Sequence, residues 1–172
     1  MDLRQATKTL HDDLESLPFN VRMFKGEQTD EERRAYLTSN QYIFTVLDQF
    51  VPNDFGRLPA IKKDLKKLGG KTDKVLSTSI DYAYYLEYHC RNIESHIYLN
   101  YMGFMYGGQI MKKKYPKSAT TYEFTDIENK RLYIRENICQ DTQDFIDEVN
   151  EGYRWHIKIS EELEKLFNGN VG

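Results

Sequence analysis

Cysteine is scarce in this chain. Cys90 and Cys139 stand far apart and without metal-ligand spacing, which leaves no disulfide framework and no zinc site and fits reduced thiols in a cytoplasmic protein. No apolar run reaches the length that spans a bilayer, and the first residues enter a polar amphipathic stretch, not a signal peptide. A basic excess is missing too. The formal net charge of −3 argues against nucleic acid as partner. The two lysine groups, Lys62, Lys63, Lys66 and Lys67, then Lys112 to Lys114, read as solvated helix faces or C-termini. Repeats and low-complexity linkers are absent. Strand-like alternation is rare, with Thr121 to Phe124 as the one short candidate.

What is present fits one globular domain over residues 1–172. Hydrophobic residues make up 40% and charged residues 30% of 172, enough for a core that folds without staples. Apolar periodicity is helical throughout. Leu3, Ala6, Leu10 and Leu14 form one stripe, which Pro18 ends. Thr29-Asp30-Glu31-Glu32 reads as a capping box opening a helix that stops before Pro52. Helices follow at about Ile61 to Leu68, closed by Gly69-Gly70, at Ser79 to Cys90, Ser95 to Lys114, Asp126 to Ile138 and Thr142 to Phe167. Seven helices imply an all-α bundle. Aromatics are plentiful, 13 Tyr and 9 Phe. A lining for a large planar ligand and an ordinary tyrosine-rich core both accommodate them.

Two segments carry chemistry. On a continuous first helix, Arg4, Lys8, His11 and Glu15 fall within a narrow arc: cations, then a histidine, then a carboxylate one turn on. A solvated face with i,i+4 pairs would look the same. The middle segment, from Ser95 to Gln109, holds Gly103, Gly107 and Gly108 inside one helix, each costing about 1 kcal/mol relative to alanine. Gly103 and Gly107 are one turn apart, so something flat, or another helix, can approach the backbone there. His89 reads as structural. A ferritin-like di-iron site needs paired Glu-x-x-His motifs, and none is present.

Thr7-Lys8-Thr9-Leu10-His11 with Glu15, followed by His96-x-Tyr98-x-x-Tyr101-x-Gly103-x-x-x-Gly107-Gly108-Gln109, resembles the haem oxygenase family. The likeness continues through Phe24-Lys25-Gly26, Lys130-x-x-Tyr133, Tyr153-x-x-His156 and Glu161-Glu162-Leu163. It implies a single-domain haem-oxygenase-like helical bundle. It also implies that His11 is the proximal iron ligand, that Glu15 orients its other ring nitrogen, and that Gly103 and Gly107 line the distal wall. Arg4, Lys8 and Lys130 match the basic positions near the haem propionates, Tyr98 is a further cofactor-binding position, and His96 stands at a position that is not the ligand. The implied activity opens haem b, substrate and cofactor at once, to biliverdin, CO and Fe²⁺. It uses O2 and electrons from an external donor, a ferredoxin or a flavin reductase.

The departures lie on the distal side. Phe104 stands where the family keeps an aspartate, Asn100 where it keeps an arginine, Phe44 for a tyrosine and His156 for an asparagine, while Tyr101 is retained. The expectation is a drier distal site in which His156 and Tyr101 replace the missing proton donors. A protein that binds or senses haem without degrading it is the alternative reading. A haem-free relative is the third.

Overall fold

The computed structural model describes residues 2–169, and every regular element in them is helical. In chain order these are α1 (Leu3–Ala6), α2 (Lys8–Glu15), α3 (Pro18–Lys25), α4 (Asp30–Leu47), α5 (Leu58–Lys67), α6 (Ser77–Tyr88), α7 (Ile93–Lys114), α8 (Ile127–Tyr133) and α9 (Gln143–Asn168). A π-helical turn, Ile134–Ile138, continues α8.

Local chemistry accounts for most boundaries. The capping box at Thr29 is present: its Oγ1 accepts from the Glu32 amide at 3.1 Å, and the Glu32 carboxylate accepts from the Thr29 amide at 3.2 Å. Gly69 and Gly70 take φ of +99° and +98° after α5, and the Gly70 amide returns to the Leu65 carbonyl at 2.7 Å. Two expectations are corrected. Pro18 does not close a helix; it opens α3, at a first-turn position where its missing N–H costs nothing. α3 ends at Gly26, whose φ of +76° provides the left-handed cap. Thr121 to Phe124 is not a strand but is led by a tight turn, Thr120–Tyr122. The Tyr122 and Glu123 amides close the turn onto the Ala119 and Thr120 carbonyls, and side chains take other backbone groups: Asp64 takes the Thr121 amide at 2.6 Å, and Arg57 reaches the Thr121 and Glu123 carbonyls at 3.1 and 2.7 Å.

The core gathers where α4, α6, α7 and α9 meet. Phe44, Tyr82, Tyr101, Met105 and Tyr122 are all almost completely buried there. α9 is the shared floor, since α2, α3, α6 and α7 all pack on it. α1 and α2 contribute no buried residue to the core. No helix among the described residues is long and apolar enough to cross a membrane.

Candidate active site

α2 carries His11 half-exposed, its ring edge-on to Tyr153 of α9 with centroids 5.9 Å apart. Both ring nitrogens face carboxylates: Nε2 is 3.2 Å from Glu15 and Nδ1 3.4 Å from Asp12. Lys8 bonds Asp12, one turn on. Lys8 and then His11 hold the Asp12 carboxyl below the usual carboxylate range. The arc that placed Arg4 on the same stripe is broken at Thr7, whose φ of −108° and ψ of 0° separate α1 from α2. The Thr7 hydroxyl donates to the Leu3 carbonyl at 2.9 Å.

α7 presents its glycines in two different ways. A Cβ added at Gly103 meets nothing within 4 Å, and one at Gly107 only touches the Phe24 ring at 3.5 Å. Around them Tyr106 and Ile110 are exposed. Gly108 faces inward instead, where a Cβ would stand 2.7 Å from the Tyr122 ring. The open glycine face and α2 are held by the same floor, α9.

The cations divide. Lys130 is 4% exposed; its ammonium donates to the Thr125 carbonyl and hydroxyl and lies 3.5 Å from Asp54. The structure does not bring it to His11 or to the glycine face. Arg131 and Arg135 reach that face, with the Arg131 guanidinium 4.2 Å over the Tyr106 ring and Arg135 bonded to the Tyr106 hydroxyl. Burial raises the Tyr98 phenol, while Arg135 and Arg4 pull it back. Arg4, Tyr98 and Arg135 therefore share one locality. Sequence reasoning missed Arg135, because only folding brings the π-helical turn to α7.

On the distal side the four departures form two contacts. Phe44 and Phe104 pack with centroids 4.9 Å apart, Phe44 also against Tyr101 at 5.1 Å and Phe104 against Tyr122 at 5.2 Å. Asn100 and His156 are joined directly, His156 Nε2 donating to Asn100 Oδ1 at 2.7 Å. Both side chains expected to supply protons, His156 and Tyr101, are already hydrogen-bonded within the protein. Burial, with help from His96, pushes the His156 imidazole down to about 4, so the ring is neutral at pH 7. Tyr101 donates to Asp48 at 2.5 Å, and burial followed by the Asp48 charge raises its phenol far above the usual range. Asp48 also accepts the Arg57 and Leu58 amides at the start of α5.

Behind Asn100 runs a buried polar chain that no sequence spacing reveals. Asn100 Nδ2 donates to the Tyr82 hydroxyl at 3.2 Å, Tyr82 bonds His96 Nδ1 at 2.7 Å, and His96 Nε2 bonds Glu148 Oε1 at 2.9 Å. The same oxygen accepts from Tyr85 at 2.5 Å and from the Arg91 amide at 3.3 Å. Burial works against the Glu148 charge, yet the His96 and Tyr85 bonds keep its carboxyl below the ordinary value. Gly152 lets α9 close onto this chain: a Cβ there would lie 2.5 Å from Leu99 and 3.1 Å from His96.

The fold has known counterparts. The heme oxygenase-1 structure from the cyanobacterium Synechocystis sp. PCC6803, in complex with heme, aligns with a TM-score of 0.81 over 99% of this chain and 94% of that one, at 19% identity. The heme oxygenase structure from Leptospira interrogans aligns with a TM-score of 0.79 over 93% and 97%, at 20% identity. At such identity the likeness defines the class by fold: an all-α haem-oxygenase architecture. Sequence adds the family. Heme oxygenase 1 of Bos taurus is 21% identical over 207 residues, 95% of this chain and 71% of its own length, and the heme oxygenase family profile matches residues 1–165. The chain belongs to the haem oxygenase family.

Proposed function

We propose that this chain holds haem b between α2 and the glycine face of α7 and opens it to biliverdin, CO and Fe²⁺. O2 is the oxidant, and electrons come from an external donor such as a ferredoxin or a flavin reductase. The family defines the class, a haem-degrading oxidoreductase. The observation that carries the reading for these residues is the open space at Gly103 beside exposed Tyr106 and Ile110, on the same floor as a half-exposed histidine. A flat apolar macrocycle suits such an open face. His11 would hold the iron through a neutral ring nitrogen, which requires Glu15 or Asp12 to yield one side of the ring and keep the other oriented. Arg4 and Arg135, whose charges both act on Tyr98, suit the propionates; Lys130, tied to Thr125 and Asp54, suits the stability of the α8 region instead. Haem supplies the iron at which O2 is activated. The chain supplies binding and orientation.

A ferric haem titration read at the Soret band tests the site. One equivalent should bind, and His11→Ala should shift or weaken the band; an unchanged band removes His11 from the iron. Aerobic reduction of the loaded protein should then yield biliverdin. The second reading, haem binding without degradation, is favoured by the Phe44–Phe104 contact and by the engaged Tyr101 and His156. It predicts autoxidation without any biliverdin band.

A further inference from the structure

His156 and Asn100 are remote in sequence and each departs from the family pattern, yet the fold makes them one contact. The orientation of the Asn100 amide decides what His156 can do. Asn100 Nδ2 stands 2.8 Å from the His96 carbonyl and 3.2 Å from the Tyr82 hydroxyl. A backbone carbonyl only accepts, so the nitrogen of the amide must lie on that side; turning the amide over would set two acceptor oxygens against each other. Oδ1 is then the atom facing His156, and it too only accepts. At 2.7 Å the hydrogen between them belongs to His156 Nε2.

We propose that Asn100 is a positioning residue that holds His156 with its Nε2 hydrogen directed into the Asn100 amide oxygen, so that in the neutral ring Nδ1 is the bare acceptor and the Nε2 proton is not offered to the distal side. Its functional meaning rests on the haem reading above. The departures then form a coherent set. Phe104 and Phe44 remove two polar side chains, Tyr101 is tied to Asp48, and His156 is left to receive a hydrogen bond. A proton needed in the slot comes from water entering it, and the distal group with which His156 pairs is a donor such as water or a hydroxyl. The titratable groups that act on His156 are Tyr82 of α6, edge-on at 5.5 Å, and His96 of α7; neither provides a negative charge that would stabilise an imidazolium. The ring's low proton affinity agrees with this.

The test uses the haem-free protein labelled with ¹⁵N-histidine, with the His156 signals identified by their loss in His156→Gln. Two-bond ¹⁵N–¹H correlation distinguishes bare from protonated ring nitrogens. Wild type should show Nδ1 bare and Nε2 protonated from pH 8 to pH 5. Asn100→Leu, which removes the acceptor, should give a mixture of the two tautomers. A protonated Nδ1 in wild type overturns the proposal whether or not the variant folds, and so does an unchanged tautomer in a folded Asn100→Leu. The measurement involves no haem, so its failure leaves the haem reading standing. Loss of haem binding likewise leaves the tautomer assignment untouched.

Discussion

Glycines at this site divide into those that clear space for a ligand and those that let the chain pack. Gly103 meets nothing, so Gly103→Ala should raise the thermal midpoint of the haem-free protein by the equivalent of up to about 1 kcal/mol, the ordinary helix preference for alanine, while weakening haem binding. Gly108→Ala and Gly152→Ala should do the reverse to stability. Their Cβ atoms would press on Tyr122 and on Leu99 and His96, at a cost of about 1–3 kcal/mol. Parallel thermal melts and haem titrations check the pattern, and equal stability changes in all three would contradict it. The glycine string was legible as a sequence feature, but its division was not, because Gly107 and Gly108 are adjacent and differ only in what folds against them. Phe104 shows the same limit. Its position identifies it as a departure, but only its contacts show the surroundings that an aspartate there would meet: the carboxylate would lie between the Phe44 and Tyr122 rings. Phe104→Asp should lower stability by several kcal/mol if the charge stays buried, and Phe44→Tyr in the same chain should recover part of the loss. Chemical denaturation of the single and double variants measures this.

At the scale of elements, the two walls of the proposed haem slot are built differently. α7 is threaded through the core, with His96, Tyr101 and Met105 fully buried. α2 buries nothing fully and rests on α9 through side chains such as Tyr153. Hydrogen exchange should therefore be fast along α2 and slow along α7 in the haem-free protein. Added haem should protect α2 selectively, by linkage of binding to the ordered state; protection that rises equally in α7 would contradict the difference. Most helices could be read from periodicity, capping and glycine stops, because those signals are local. The break at Thr7 and the start of α3 at Pro18 were missed, since a helix that stops and one that restarts share the same apolar stripe. The chain from Glu148 to Asn100 was invisible for another reason. Its members come from α6, α7 and α9, and nothing in their spacing marks Tyr82 or Glu148 as partners of His96.

For the whole molecule, buried titratable groups set the acid limit. His156 binds its proton near 4 in the fold, against an ordinary 6.5. As pH falls from about 6.5 to about 4 the unfolded chain takes up a proton that the folded one refuses, so stability falls across that window, by about 1–3 kcal/mol from this residue. Glu148, held below the ordinary carboxylate value, adds a further loss at the acid end as it is protonated. The denaturation midpoint of His156→Gln should be flatter than that of wild type between pH 6.5 and 4; parallel curves would mean that His156 is not the group responsible. A last consequence belongs to α9. Within five residues it sets Gly152 against His96, Tyr153 against His11 and His156 against Asn100. One stretch of helix thus touches both walls of the proposed slot, and on that reading the width of the slot follows α9's register more than the walls themselves. A single residue inserted after Asn150 would rotate everything downstream by about 100° and unset both walls together, whereas a change in either wall alone shifts only that side of the gap.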